Sequence, residues 1–237
     1  MEQNNKIKKS WYKKWWGILL IIVLIFTISI FVAFCFYIFN LNKEIKTGKF
    51  QTNQIFSLIS KTNYQNSEQQ KTIEGLNSYW TGSTKPKITI VEFSDFSCPL
   101  SKNSFSKIRE IGLKYKDNVK IIFRDYPLFE NSIDLAMSAR CAGEQGLFWL
   151  MHDKLFANQG VSTAEEIYEL AKQIGADENR FKECISSKKY EIAIQKDFSD
   201  GQSLEITGTP VWFINGNKIE GDIPYDTFIQ IIEQFLK

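Results

Sequence analysis

The chain has 237 residues, 43% hydrophobic and 24% charged, a balance that excludes disorder throughout its length. Its formal net charge of +2 is unevenly distributed, because residues 1–16 hold five lysines and one acidic residue, Glu2. The remainder is therefore nearly neutral, which argues against a nucleic-acid partner, since such proteins carry a clear basic excess.

The first element in the chain is an uncharged apolar run, Gly17–Phe39, which is long enough to cross a bilayer as one helix. A cleavable signal peptide has a shorter apolar region that ends in small residues, whereas Phe31 and Phe34 are bulky. We therefore predict that residues 17–39 form a retained transmembrane signal anchor. Phe34 also argues against lipid attachment at the adjacent Cys35, and acylation there stays an open alternative.

The lysines before this run predict its orientation. Positive residues flank membrane helices on the cytoplasmic side, so residues 1–16 are predicted to be a basic cytoplasmic tail. Everything after Phe39 then lies outside the cytoplasm, and the chain is a single-pass protein of the cell membrane. Residues 40–80 are rich in polar side chains and are predicted to be a juxtamembrane spacer.

Residues 81–237 have the pattern of an α/β domain. The β-branched run Lys87–Phe93 and the run Val119–Phe123 predict two strands, joined by a helical stretch, so the two strands should be parallel. Residues from about 130 to 206 contain only helical patterns and predict a helical insertion. A hairpin around Asn215-Gly216-Asn217 and a last helix opening at Pro224 complete the domain.

Cys98 stands where the first of these strands gives way to a helix. Pro99 suits the first helical position, which makes Cys98 the N-cap. The unpaired N–H groups and the positive end of the helix then favour a thiolate over a thiol, and Ser101 at the third position is expected to reach that sulfur. The alternative is that Cys98 is a small buried hydrophobic residue without chemistry.

Three separated segments resemble DsbA-like thiol–disulfide oxidoreductases of the thioredoxin-fold superfamily. Val91–Pro99 resembles their active-site strand and turn, and Gly208–Gly216 resembles the loop that carries their cis proline. Cys141–Trp149 and His152–Phe156 resemble parts of their helical domain. The resemblance runs from Tyr79 to the end of the chain and implies a thioredoxin-like α/β fold with a helical insertion.

The resemblance also implies roles for individual residues. Cys98 is expected to exchange disulfides through a mixed disulfide, and Glu92 to be the carboxylate that handles protons near the sulfur. A cis bond between Thr209 and Pro210 is expected to shape a groove for an extended substrate peptide. Beside that groove the resemblance places the two residues that follow the cysteine, Pro99 and Leu100.

One departure from the family pattern limits the chemistry that we expect. The usual motif is Cys-x-x-Cys, but the second position is Ser101 in this chain. A hydroxyl cannot resolve a mixed disulfide, so an intramolecular redox cycle between Cys98 and Ser101 is excluded, and this argues against self-contained oxidase activity. The remaining hypothesis is single-thiol exchange of an isomerase- or reductase-like kind on extracytoplasmic proteins that bear thiols or disulfides. The sequence indicates no redox partner.

Two further cysteines, Cys141 and Cys184, lie in the helical insertion. With Cys98 they make an odd number outside the predicted span, so at least one thiol is unpaired within a monomer. Our hypothesis is a structural disulfide between Cys141 and Cys184 that leaves Cys98 free. The alternative is two reduced buried cysteines, which is less typical of an oxidising compartment.

Other sites are not indicated by the sequence. His152 is the single histidine and has no partner at zinc-ligand spacing, so we expect a structural role and no metal. Phosphate-loop and Ser–His–Asp patterns are missing from the sequence, and we expect no cofactor. Two other functions stay open, because fold does not decide function: a redox-inactive peptide-binding or chaperone-like module, and a membrane-tethered scaffold.

Overall fold

A computed structural model describes residues 15–46, 67–76 and 78–237. The chain divides into two compact units, Met1–Gln51 and Thr52–Lys237. The first unit contains one long helix, α1 (Trp15–Lys46), which extends past both ends of the predicted span at residues 17–39. Its segment Ile22–Asn40 is long and apolar enough to cross a membrane. Most of the predicted cytoplasmic tail and residues 47–66 of the predicted spacer lie outside the described residues.

The second unit is built on a mixed sheet of five strands among its described residues. They are β1 (Tyr79–Gly82), β2 (Ile88–Ser94), β3 (Val119–Asp125), β4 (Val211–Ile214) and β5 (Asn217–Glu220), in the spatial order β1-β3-β2-β4-β5. The strands β2 and β3 are parallel, as the strand–helix–strand pattern predicts, and the other neighbouring pairs are antiparallel. The α/β fold class predicted from the sequence is confirmed.

Helices cover both faces of this sheet. They are α2 (Ser67–Glu74), α3 (Pro99–Lys114), α4 (Ser132–Gly143), α5 (Phe148–Ala157), α6 (Ala164–Gln173), α7 (Glu178–Ser186), α8 (Glu191–Ser203) and α9 (Tyr225–Leu236). One face packs α3 and α9 around Ile90 and Trp212, and the other packs α2 and α8 around Phe93. Five helices, α4 to α8, form the insertion between β3 and β4, and their hydrophobic core also includes Phe96 of the active-site turn and Phe123 of β3.

The structure corrects one predicted boundary. Residues 40–80 are predicted to be a spacer, yet α2 and β1 lie within that range and belong to the folded unit. Ile73 is only 1% exposed, and the ring of Tyr79 stacks on that of Phe148 with 4.0 Å between centroids. The folded unit therefore begins before residue 81. The sequence did not predict this earlier start, because α2 contributes one large apolar side chain and β1 is a short edge strand.

A buried ionic cluster attaches α2 to the rest of the domain. The guanidinium of Arg124 donates to the carbonyls of Thr72 and Ile73 at 2.8 and 2.7 Å, and to carboxylates of Asp197 and Asp200 at 2.8 and 2.7 Å. Buried charges are tolerated when they are paired and hydrogen-bonded in this way. The helix α2 is thus held by hydrogen bonds from the Arg124 side chain to its main-chain carbonyls, which the sequence does not predict.

Candidate active site

Cys98 caps the helix that follows β2. Its backbone is extended, with φ of −77° and ψ of 122°, and Pro99 is the first residue of α3. The preceding turn is held by the carboxylate of Asp95, which accepts hydrogen bonds from the main-chain N–H groups of Ser97 (2.8 Å) and Leu128 (2.6 Å). The N–H of Cys98 itself donates to the carbonyl of Asp95 at 3.0 Å. The cysteine is therefore fixed at a helix N-terminus, where N–H groups lack intrahelical partners.

The sulfur of Cys98 faces the loop before β4. The peptide bond between Thr209 and Pro210 is cis, and the Cys98 thiol donates to the carbonyl of Thr209 with 3.2 Å between Sγ and O. Cys98 is 6% exposed, and Thr209 is buried beside it. The two segments that sequence analysis selected, at residues 98 and 209–210, are thus in direct contact.

Ser101 does not make the contact expected of it. Its side chain is fully buried on α3, and Oγ has no hydrogen-bond partner among the described residues. The expected interaction with the sulfur does not form, and the Cys98 thiol donates to the Thr209 carbonyl. Ser101 nevertheless occupies the first turn of α3, three residues after the cysteine.

Glu92 is buried within β2. Side chains alternate along a strand, so it lies on the face of Ile90, which α3 and α9 cover. Burial raises the pKa of Glu92 to about 8, and the neighbouring Ser94 side chain opposes that shift. Oε1 has no hydrogen-bond partner among the described residues. A carboxyl group in this state can hold or release a proton near neutral pH, on the sheet face that packs against α3.

Apolar side chains surround the exposed side of the turn. Pro99 is exposed and Leu100 is 49% exposed at the start of α3. Leu128 and Phe129, 44% and 49% exposed, lie in the loop that Asp95 holds against the turn. Exposed apolar side chains in one place are typical of a surface that binds another molecule. Leu100 belongs to the predicted groove, whereas Leu128 and Phe129 were not identified from the sequence.

The insertion contains a disulfide between Cys141 on α4 and Cys184 on α7. The two Sγ atoms are 1.99 Å apart and the Cα atoms 5.7 Å apart. Cys98 and Cys35 are the free cysteines. His152, on α5, is fully buried, and its Nδ1 lies 2.8 Å from Oδ1 of Asp153. Burial lowers the pKa of this imidazole, and the described residues contain no group of three or more candidate metal ligands.

A protein-family model described as thioredoxin matches residues 74–234. The chain belongs to the thioredoxin family. Among solved structures, its fold resembles that of the thiol-disulfide exchange protein alpha-DsbA2 from Wolbachia pipientis, with a TM-score of 0.65, 24% identity, and coverage of 78% of this chain and 97% of that one. BdbD from Bacillus subtilis is similar at a TM-score of 0.60 and 25% identity, covering 67% and 92% of the two chains. The DsbA-like resemblance predicted from the sequence is confirmed.

Curated relatives of this thioredoxin-family chain include proteins of two kinds. A Na(+)/H(+) antiporter NhaA 1 from Salinispora arenicola is 30% identical over 143 residues, which are 59% of this chain and 22% of that protein. The chain therefore spans about a fifth to a quarter of the length of the first such relatives. A probable disulfide bond formation protein D from Bacillus anthracis is 27% identical over 169 residues, 66% of this chain and 77% of that protein.

Two residues that fix the active-site turn of this thioredoxin-family chain were missed by sequence reasoning. Asp95 precedes Ser97 by two positions, which is the spacing of an Asx turn and a signal that the sequence does contain. Gln159 lies far away in the insertion, and its amide donates to carbonyls of the turn. Its sequence context contains no pattern that predicts this contact.

Proposed function

We propose that this chain carries out thiol–disulfide exchange on extracytoplasmic proteins through the single thiol of Cys98. The observation that carries the proposal is the position of Cys98 Sγ at the N-terminus of α3, 3.2 Å from the Thr209 carbonyl of the cis-proline loop. A helix N-terminus stabilises the thiolate, which is the nucleophile in disulfide exchange. The family and the fold support the same chemistry.

The proposed reaction has two exchange steps. The Cys98 thiolate attacks one sulfur of a substrate disulfide, a bond forms between these sulfurs, and the other substrate sulfur leaves as a thiolate that takes up a proton. A second thiol then attacks the substrate sulfur of the mixed disulfide, forms a new disulfide with that sulfur and releases Cys98 as a thiolate. Because residue 101 is Ser, that thiol comes from the substrate or from a small molecule, so the outcome is isomerisation or reduction of a mixed disulfide rather than net oxidation.

The surrounding residues have proposed roles in these steps. Glu92, whose pKa burial raises to about 8, holds and returns the proton. The Thr209 main chain and Pro210 align an extended substrate peptide, while Pro99 and Leu100 contact its apolar side chains. We further propose that α1 anchors the chain in the cell membrane with its N-terminus in the cytoplasm and the catalytic domain outside, where disulfides persist.

The experiment uses the full chain in detergent micelles, reduced mildly enough to leave the buried Cys141–Cys184 disulfide intact and then desalted, with Cys35→Ser to remove the other free thiol. It is incubated with a peptide that contains one disulfide, quenched with acid, and examined by intact mass and peptide mapping. We expect a mixed disulfide at Cys98, its complete loss in Cys98→Ser, and its release when a second thiol is added. A wild-type chain that forms no adduct over a pH series would contradict the proposal.

A second candidate, a redox-inactive peptide-binding module, is favoured by the low exposure of the Cys98 sulfur and by Ser101. The same disulfide-containing peptide separates the two functions. Under this alternative the peptide binds equally well to the wild-type chain and to Cys98→Ser, and no covalent adduct appears. Calorimetric titration of both proteins provides that comparison.

A further inference from the structure

The side-chain amide of Gln159 bridges two carbonyls of the active-site turn. Its Nε2 donates to the carbonyl of Phe96 and to the carbonyl of Cys98, both at 2.9 Å. Cys98 O also accepts the first helical hydrogen bond of α3, from the N–H of Lys102 at 3.0 Å. One side chain from the insertion thus fixes the main chain on both sides of Ser97 and at the helix cap.

The same insertion loop contacts the turn by two further routes. The amide of Asn131 donates to the carbonyl of Val161 at 3.4 Å, and its Oδ1 accepts from the hydroxyl of Ser97 at 3.5 Å. The ring of Phe96 packs against that of Phe156, with 4.9 Å between centroids. The loop after α5 is therefore anchored by buried packing at its start, so that Gln159 is presented to the turn from a fixed position.

The bridge holds the main-chain carbonyl of Cys98, whereas the side chain of Cys98 contacts the cis-proline loop, where its sulfur donates to the carbonyl of Thr209. Without the bridge, the Phe96 and Cys98 carbonyls lose a donor and the turn gains freedom to rotate. The sulfur would then leave the Thr209 carbonyl and become more exposed than its present 6%.

We infer that Gln159 is a positioning residue for the Cys98 thiol, and that the helical insertion thereby sets how the sulfur is presented to substrate. This inference rests on the proposed function for its consequence, namely alignment with a substrate disulfide. The structural part of the inference, that Gln159 keeps the Cys98 sulfur against Thr209, can be tested by the alkylation rate of Cys98 even if the proposed function is wrong.

The test compares Gln159→Met, which keeps the length of the side chain but lacks its donors, with the parent chain in a Cys35→Ser background. Alkylation of Cys98 by iodoacetamide should become about three- to tenfold faster, the scale of one or two lost hydrogen bonds. Mixed-disulfide formation with the peptide disulfide should slow by a similar factor, because alignment with Thr209 is lost. Loss of stability alone would not move these two rates in opposite directions.

Gln145→Met is the matched control. Gln145 also makes two main-chain hydrogen bonds, donating to the carbonyl of Asp177 at 3.3 Å and accepting from its N–H at 2.7 Å, but within the insertion. This variant should leave both Cys98 rates unchanged. Should Gln159→Met fail to fold, Gln159→Glu preserves shape and polarity, removes both donors at neutral pH, and should give the same pair of opposite changes.

The outcomes separate the two proposals. Alkylation at the parent rate in a folded Gln159 variant overturns the positioning role, whatever the peptide does. If the parent chain does not react with the peptide disulfide, the proposed function fails, and faster alkylation in Gln159→Met but not in Gln145→Met still supports positioning. If the alkylation rate and the mixed-disulfide rate change in the same direction in both Gln159→Met and Gln145→Met, then Gln159 contributes only to general stability, and the inference is overturned.

Discussion

The thiol of Cys98 and the main-chain carbonyl of Thr209 lie 3.2 Å apart, sulfur to oxygen, although 111 positions separate them in the chain. The sheet brings them together, because β2 and β4 are antiparallel neighbours that pair Phe93 with Val211. The end of β2 and the start of β4 therefore meet at one edge, with the active-site turn on one and the cis-proline loop on the other. This relationship makes single-residue changes around the sulfur informative.

Restoring a thiol at position 101 should convert the site to a dithiol. In Ser101→Cys the new sulfur lies three residues after Cys98 on the first turn of α3, which is the spacing of the family's usual Cys-x-x-Cys motif. We expect a disulfide between Cys98 and the introduced thiol after mild oxidation, seen by peptide mapping. We also expect release of a bound peptide without added thiol, because an intramolecular thiol has a high effective concentration.

Ser104→Cys provides the comparison for that variant. Ser104 is likewise buried on α3, but it is nearly one turn further along and its hydroxyl donates to Asp222 at 2.6 Å. A cysteine there is beyond the reach of Cys98 and should neither form the bond nor release the peptide. Equal behaviour of the two variants would show that the turn does not hold Cys98 as described.

Glu92 should make the domain less stable at alkaline pH. Its pKa is raised by burial from 4.5 to about 8, so the native state retains a proton that the unfolded chain releases between those values. The contribution of Glu92 to the unfolding free energy is therefore fully present below pH 4.5 and is lost as the pH rises through 8. This loss is about 3–5 kcal/mol at most. Glu92→Gln removes this decline, and we expect the variant to be the more stable protein at pH 9.

Denaturant unfolding at pH 5 and pH 9 measures that difference. Glu169→Gln, which changes an exposed carboxylate on α6, should keep the pH dependence of the parent chain. If Glu92→Gln lost as much stability between the two pH values as the parent, the buried carboxyl would not be its source.

Local and regular features of the fold could be predicted from the sequence. The parallel pair β2 and β3 and the hairpin of β4 and β5 follow from alternation, run length and turn residues. The strand β1 could not be predicted, because four residues at a sheet edge are too few to show a periodic pattern. The helix α2 could not be predicted either. It is held by hydrogen bonds from Arg124, which lies 51 positions away from Ile73 in the sequence.

Some residues of the candidate site could likewise be identified from the sequence, and others could not. Cys98 was identified because a helix cap is a local signal, and Pro210 because its loop resembles the cis-proline loop of the family; the structure places the two segments in contact. Gln159 was not, because its role depends on two main-chain carbonyls that only the folded insertion places next to it. Ser101 was assigned a contact with the sulfur from its spacing alone, and spacing does not fix the direction in which a buried hydroxyl points.

The disulfide of the insertion should stabilise the domain and leave Cys98 reactive. The sequence separation between Cys141 and Cys184 is 43 residues, and closing a loop of that size stabilises by about 4 kcal/mol in the chain-entropy model. We expect the Cys141→Ala/Cys184→Ala chain to lose about 2–4 kcal/mol of unfolding free energy. Intact mass after alkylation without reductant should show two modified cysteines in the parent, Cys35 and Cys98; four would contradict the bond.

Residues before position 81 should contribute to stability as core residues do. Ile73 is 1% exposed among Val91, Phe93 and Ile122, so Ile73→Ala leaves a cavity on the sheet face that α2 covers. We expect a loss of about 2–4 kcal/mol in unfolding free energy, measured by denaturant titration of the full chain in micelles.

Gln69→Ala tests the same helix without touching the core, because Gln69 is exposed on α2. It should change stability by less than about 0.5 kcal/mol. In a spacer, both substitutions would be silent, since neither side chain would have a packed neighbour to lose. A silent Ile73→Ala would therefore return residues 67–80 to the spacer, whereas a loss confined to Ile73 places the start of the folded domain at α2.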